Sequence, residues 1–539
     1  MRPKRLLPDG SAVPPSPTPS SHMPDASPVP SDAPRASAAR LYLAVAASAV
    51  VVYVGALGNR WAWDDIPIIV YNPLLLSPSA IWRAFLAPYS PPQLGAGLYR
   101  PLAIASYALD LRISGGATVW FHAVNVMWHA GASVAVALLA RRLSSDRAAL
   151  VAGLLFATHP VHVEAVANVV GRAELMAALF ALLAVYAALV ADQPWWSLAA
   201  LAGGLLSKEN AAVVPGLVIW AWVLGLAHPT RRRVAQYVTG WIGLALVYGV
   251  VRWSVLHAYA AIYNIAPVFV GADPLAIRWT AVAAFADVAR LLVFPATLRV
   301  DYSPAERTLV DSPFDVRFVA GLACVALWVG LVYLAWRRGR KVEAWALGWI
   351  GIALSPVANL LFPVGVLVAE RTLYLPSAGL ALALGAWLPT AAPRGWLAVA
   401  VALAVAGGVR AAVRVPVWRD EATVVLSEFQ DSPRSFDGPA RMVRLYLSRH
   451  QPEKALAAFR IAERIYDKMP WIYVTGADAA FMLGRPSTAD SLLAKLDELC
   501  YRCEHYYRFE AGAALARGDT ATADSLVARA NKIMRPKGL

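Results

Sequence analysis

Two adjacent carboxylates, Asp64 and Asp65, follow the first long apolar stretch of the chain, in the run Trp61-Ala62-Trp63-Asp64-Asp65. Acids at the mouth of an apolar helix are costly to strip of water, so their presence there marks a site. A carboxylate suits general-base work, taking the proton of an attacking hydroxyl. Four further polar clusters interrupt the apolar runs. One is Tyr99-Arg100-Pro101-Leu102 with Ser106 to Asp110. Another runs from His159-Pro160-Val161-His162-Val163-Glu164 into Gly171-Arg172-Ala173-Glu174. The others are Ser207-Lys208-Glu209-Asn210 and the segment from Glu370-Arg371 through Tyr374 to Ser377. Arginine and lysine suit a departing phosphate, because their charge stabilises the anion that develops. Acid and cations together are what a sugar transfer from a lipid phosphate to a hydroxyl needs. Such a site also needs bilayer access for the lipid and water for the acceptor.

Plainer roles fit the same residues. Asp64 and Asp65 suit capping the short helix after Pro78 or solvating a loop. His159, His162 and Glu164 invite a metal, but the order H-P-x-H-x-E lacks the i, i+4 histidine pair of a zinc helix, and Pro160 interrupts helical geometry. They stand as structural hydrogen-bonding groups or substrate contacts, and no metal site is assigned. Glu370-Arg371 and Lys208-Glu209 equally suit ion pairs that hold helices together.

The elements that carry these clusters are set by composition. The chain is 58% hydrophobic and 16% charged, with mean hydropathy +0.51. Soluble domains carry roughly 25% charged residues. The excess apolar content implies many bilayer spans of about 20 residues each. Apolar runs lie near 40–57, 118–139, 147–158, 174–191, 194–206, 211–227, 235–253, 316–336, 344–361, 375–390 and 395–410. The net charge of +14 sits in short clusters: Arg2, Lys4 and Arg5; Arg141 and Arg142; Arg231 to Arg233; Arg337, Arg338, Arg340 and Lys341. Scattered in this way, the charge reads as topology signals rather than a nucleic-acid surface.

With those clusters inside, Asp64 and Asp65 emerge outside, and so do the other polar clusters. Parity then requires that 278–296, bearing Arg278, Asp287 and Arg290, be a re-entrant or interfacial helix. The expected fold is all-α: a polytopic membrane bundle of about eleven spans with its C-terminus outside. Residues 1–39, rich in Pro, Ser and Ala, are expected to form a disordered cytoplasmic tail. That stretch is too long and Pro-rich for a signal-peptide n-region, so Leu41 to Leu57 reads as an anchor. Residues 40–412 form the expected transmembrane domain, with an exterior loop over 59–117.

Residues 420–539 are more charged and amphipathic. Ala455, Ala489 and Ala523 recur every 34 residues in similar turn-helix contexts, the period of tetratricopeptide repeats, whose helix pairs bury a face only by stacking. Three cysteines exclude a disulfide framework. Cys324 is expected to pack in a span. Cys500 and Cys503 are expected to share a helix face rather than to form a disulfide or redox pair.

The pieces Trp63-Asp64-Asp65, Tyr99-Arg100-Pro101-Leu102, Phe121-His122 with Asn125 and His129, His159 to Glu174, Ser207-Lys208-Glu209, and Ser355-Pro356 through Asn359 to Ser377 occur here in that order. In this the chain resembles the transmembrane and tetratricopeptide-repeat-containing (TMTC) O-mannosyltransferases and their bacterial relatives, over residues 40 to about 390. The family looks like the GT-C class of glycosyltransferases.

The resemblance implies an inverting transfer of a sugar, with mannose one option, from a polyprenyl-phosphate donor. An essential acid in the first exterior loop, Asp64 or Asp65, would be the base. Arg172, Lys208 and Arg371 are the implied phosphate contacts, with Glu174 and Glu370 as their orienters. His159 and His162 would line the pocket. Arg100, Glu164, Glu209 and Tyr374 complete the implied substrate-binding set. No cofactor is required by this reading; a divalent cation is left open.

The implied partners are a lipid-linked sugar and an acceptor protein or glycan docked on the repeats, within a membrane, and no nucleic acid. Three repeats are fewer than eukaryotic members carry. The Ala- and Arg-rich composition suits a bacterial inner membrane, with the site and repeats periplasmic. A contrasting reading is a non-enzymatic, membrane-anchored repeat scaffold for envelope assembly. A transporter is disfavoured, since its expected internal repeats are not seen.

Overall fold

The computed structural model describes residues 35–91, 97–257, 265–302, 304–392, 394–500 and 503–534. The tail expected over 1–39 lies outside the described residues up to position 34; a helix already runs over Arg35–Tyr53. The fold is all-helical, with no strand among the described residues.

Among the described residues, seven helices are long and apolar enough to cross a membrane: Ala38–Gly58, Thr118–Leu143, Val169–Leu189, Arg231–Leu256, Val316–Arg337, Glu370–Ala391 and Trp396–Trp418. An eighth candidate is the pair Asp146–Ala157 and Pro160–Ala167, bent by 48°. The bend falls where Pro160 removes a backbone donor and forces His159 out of helical geometry, at φ −67° and ψ 124°. This makes a multi-pass membrane protein. Of the eleven apolar runs, those near 194–206, 211–227 and 344–361 become shorter helices. Pro194–Ser207 and Lys341–Leu354 have 14 residues each, about 21 Å at 1.5 Å per residue, against a hydrocarbon core of about 30 Å. Pro274–Val293, which carries Arg278, Asp287 and Arg290, is helical but is not among the candidate spans.

Burial sorts the long helices. Val169–Leu189 and Glu370–Ala391 are 72% and 78% buried, whereas Arg231–Leu256 and Val316–Arg337 are each 11% buried. The first two form the centre and the last two the rim. Small residues let the central helices approach: at Gly385 an added Cβ would stand 2.7 Å from the carbonyl oxygen of Ala148. Close backbone approach of this kind is how apolar helices gain dispersion energy in lipid, where no hydrophobic drive separates them from solvent.

After the last long helix, a capping box of Asp420 and Thr423 starts Glu421–Asp431. Three hairpins follow: Asp437–Ser448 with Pro452–Ile465, Pro470–Met482 with Pro486–Leu499, and Glu504–Ala516 with Thr520–Met534. Their second helices start 34 residues apart, at Pro452, Pro486 and Thr520. Ala455, Ala489 and Ala523 are all buried against partner helices. Each hairpin turns on a left-handed residue at the same place, His450, Gly484 and Gly518, with φ of 54°, 66° and 80°. Cys500 and Cys503 do not share a helix face. The helix ends at Leu499, and the two cysteines are joined to each other by a disulfide beyond it.

Candidate functional site

The two acids after the first long helix have different surroundings. Trp63 adopts φ 56°, a conformation a bulky residue rarely takes, and the turn it makes sends the two side chains apart. Asp65 is fully buried. Its carboxylate accepts backbone N–H groups from Val170 at 2.9 Å, Ala62 at 3.3 Å and Val169 at 3.4 Å. Burial pushes its pKa up to about 8, against the downward pull of those three N–H groups. Asp64 is half-buried, and no described residue donates a hydrogen bond to its carboxylate. Asp65 thus ties the loop to residues 169–170, while Asp64 is left available.

Three acid–base pairs form among the expected site residues, and the cation of one, Arg371, lies within Coulombic range of Asp64. Glu164 is aimed by the short helical turns that follow Pro160; it pairs with Arg371 and also accepts the Arg371 N–H at 2.8 Å. Glu174, on the first turn of Arg172–Leu189, pairs with Lys208 and accepts Asn210 Nδ2 at 3.2 Å. Glu209 Oε2 takes both Nε and Nη2 of Arg100 at 3.1 Å, and its Oε1 lies 3.6 Å from Arg252. The pairs share one field. Arg371 lies within Coulombic range of Asp64 and Glu174, and Lys208 within range of Arg100 and Arg371. Arg371 keeps 28% of its side chain exposed, against 13% for Arg100 and 10% for Lys208. It is therefore the cation of the three most open to a ligand. Thr372 lines an adjoining apolar cavity with Phe285, Val288, Leu354, Leu367 and Leu373.

Other expected site residues are committed elsewhere. Arg172 is fully buried. It pairs with Asp110, not Glu174, and donates to Asn125 Oδ1 at 2.8 Å, Ser106 Oγ at 3.3 Å and the Phe121 carbonyl at 3.0 Å. Its fork is filled by protein. Gly171 allows this, because a Cβ there would overlap the Ala165 carbonyl. Glu370 does not orient Arg371; it accepts the Arg299 N–H at 2.5 Å and the Tyr302 hydroxyl at 3.1 Å. His162 contacts Ser377 Oγ at 2.7 Å, and His129 contacts the Tyr374 hydroxyl at 2.7 Å. These groups are buried and packed with Phe156. His159 meets the Leu292 carbonyl at 2.9 Å. His129, His162 and Tyr374 form a hydrogen-bonded aromatic core.

Sequence reasoning passed over a second group. Glu421 Oε2 accepts the Trp63 N–H at 2.7 Å, and the Arg419 carbonyl accepts the Arg60 N–H at 2.7 Å. Arg441 covers the Trp63 ring, and Trp418 packs against its edge at 6.3 Å. The turn that presents Asp64 is thereby held by residues that follow the last long helix. Nothing in the spacing of Glu421 or Arg441 announces this.

Residues 101–253 match the family described as dolichyl-phosphate-mannose-protein mannosyltransferase. Among curated proteins, the chain is 30% identical over 407 residues to Protein O-mannosyl-transferase TMTC4 of Homo sapiens, covering 62% of this chain and 54% of that protein. It is 28% identical over 467 residues to Protein O-mannosyl-transferase TMTC4 of Mus musculus, covering 72% and 62%. It is 31% identical over 315 residues to Protein O-mannosyl-transferase TMTC3 of Mus musculus, covering 52% and 34%. The chain therefore spans between about a third and three-fifths of the length of these relatives. No solved structure matches it. The chain is similar to the TMTC protein O-mannosyl-transferases, the group its motifs resemble.

Proposed function

We propose that this chain is a membrane glycosyltransferase that moves a sugar, with mannose the first candidate, from a polyprenyl-phosphate donor to a hydroxyl on an acceptor protein. The names of the relatives support the sugar and the acceptor class. The observation that carries the reading is the placement of Asp64: a carboxylate with no hydrogen-bond donor among the described residues, within Coulombic range of Arg371.

Asp64 is the base in this reading, and Asp65 its anchor. Three backbone N–H groups occupy Asp65, and its depth keeps an acceptor away. Asp64 takes the acceptor proton. The freed oxygen bonds to the anomeric carbon on the face opposite the phosphate. The carbon–oxygen bond to the phosphate breaks, and the electron pair leaves with the lipid phosphate. One displacement inverts the configuration and needs no covalent enzyme intermediate. Arg371 and Lys208 hold the charge that grows on the leaving phosphate, with Glu164 and Glu174 fixing their positions.

In the same reading the three shorter helices complete eleven crossings, and the site faces the periplasm of a bacterial inner membrane. The unit over 40–412 carries the chemistry. The hairpins of 420–539 act as tetratricopeptide repeats that present the acceptor. Membranes containing the full chain, supplied with radiolabelled polyprenyl-phosphate mannose and an acceptor protein fraction, should transfer label. Asp64→Asn and Arg371→Ala should each abolish transfer at unchanged expression. Transfer at the wild-type rate in both variants would overturn the reading.

A further inference from the structure

Away from the transfer site, three carboxylates meet where the segment after Pro274–Val293 touches the first C-terminal helices. Asp301, Glu428 and Asp437 each bring one oxygen within 4.8 Å of the others. Glu428 is fully buried, and neither of its carboxylate oxygens has a hydrogen-bond partner among the described residues. A buried carboxylate left in that state is unfavourable by the full cost of its lost hydration. The surrounding charge makes matters worse. Asp437, Asp301 and Glu421 all act on Glu428 in the same sense, against the single guanidinium of Arg441. Arg441 is already bonded to Asp437 at 2.6 Å, and Glu421 to the Trp63 N–H. With burial as the largest cause, the Glu428 carboxyl is raised well above the usual carboxylate range.

The geometry points to a divalent-cation site formed by Asp301, Glu428 and Asp437. The donors are all carboxylate oxygens, the preference of hard cations such as Ca²⁺ and Mg²⁺. Ca²⁺ accepts about six to eight oxygens in flexible geometry, whereas Mg²⁺ demands a near-ideal octahedron, so carboxylates drawn from separate segments suit Ca²⁺ better. The frame is built around the cluster. Ser435 Oγ donates to Asp301 Oδ2 at 3.0 Å, and Ser432 Oγ to the Asp301 carbonyl at 2.8 Å. Asp301 is half-buried, which gives the cation a route from water, and water completes its shell. The ligands come from segments more than 120 residues apart in sequence. A cation there fastens the 294–302 segment to the first C-terminal helices, beside the Arg441 that covers Trp63.

Full-length protein in detergent, stripped with chelator and then titrated with Ca²⁺, tests this. The melting temperature should rise with Ca²⁺ and saturate, with a weaker response to Mg²⁺. Elemental analysis after desalting should find about one Ca²⁺ per chain, and calorimetric titration should show one binding event. Glu428→Gln should remove both the binding event and the shift. Asp301→Asn, on the more exposed ligand, should weaken binding at least tenfold and covers the case in which Glu428→Gln fails to fold. Absence of a binding event in wild type overturns the proposal. So does a Glu428→Gln protein as stable as the cation-saturated wild type, which would show the buried carboxyl to be simply protonated. Neither readout depends on glycosyl transfer.

Discussion

Arg441 places its guanidinium carbon 3.3 Å from the centroid of the Trp63 ring. The two residues lie 378 positions apart, one next to the acid Asp64 and the other in the first C-terminal hairpin. A cation over an indole face is worth about 0.5–2 kcal/mol. Here it acts with the Glu421 bond to the Trp63 N–H to keep a strained residue at φ 56°. The presentation of Asp64 is thus coupled to the docking of the C-terminal helices.

That coupling can be measured. Arg441→Ala should lower transfer about tenfold, the equivalent of about 1.4 kcal/mol, and should speed proteolytic clipping within residues 59–91. Glu421→Gln should do the same more weakly. Equal clipping rates in Arg441→Ala and wild type would show that the loop does not depend on this contact.

Substitution separates the two acids. Asp64→Asn removes the proposed base and should cost about 10²- to 10⁴-fold in transfer, with melting temperature unchanged. Asp65→Ala should lower the yield of folded protein, because three backbone N–H groups lose their acceptor. The check is a transfer assay beside detergent thermal melts; a reversed pattern would exchange the roles.

Burial raises the Asp65 pKa from 3.8 to about 8. An acid whose folded pKa stands above its unfolded value stabilises the fold fully below the unfolded value. That contribution is lost as pH rises through the folded one. The melting temperature should therefore fall as pH climbs past 4 toward about 8, and Asp65→Asn should flatten this part of the profile. A wild-type curve that rises across the same window would mean that the three N–H donors outweigh desolvation.

Lys208 and Glu174 are 10% and 4% exposed. Removing one partner strands a buried charge, which costs about 3–5 kcal/mol. Glu174→Leu and Lys208→Met should each be strongly destabilising, and the double variant should recover most of the loss. Transfer should stay absent in the double variant, since the leaving phosphate has lost a cation. Recovered transfer would remove Lys208 from the site.

The sequence showed which polar residues interrupt the apolar runs and left their pairing dark. Polar residues at the ends of apolar runs stand out against hydrocarbon, so Asp64, Glu164, Lys208 and Arg371 were legible. Pairing is set by tertiary packing: Glu164 finds Arg371 across 207 positions and Arg172 finds Asp110 across 62, where adjacency suggested Glu370 and Glu174. The short apolar runs were legible as apolar but not as spans, because a 14-residue helix such as Pro194–Ser207 or Lys341–Leu354 reaches only part of the way across a hydrocarbon core of about 30 Å. The 34-residue period was legible, since buried Ala455, Ala489 and Ala523 repeat in the sequence itself. The contacts of Glu421 and Arg441 were not, because an isolated charge on an amphipathic helix resembles any solvated one.

Arg172 bears on how the chain is made. It stands near the start of an apolar helix, where a lone guanidinium meets a steep penalty during insertion. Its partners Asp110, Asn125 and the Phe121 carbonyl belong to helices synthesised earlier. The ribosome therefore delivers the acceptors before the charge that needs them, and the Val169–Leu189 segment has a ready-made berth as it leaves the translocon.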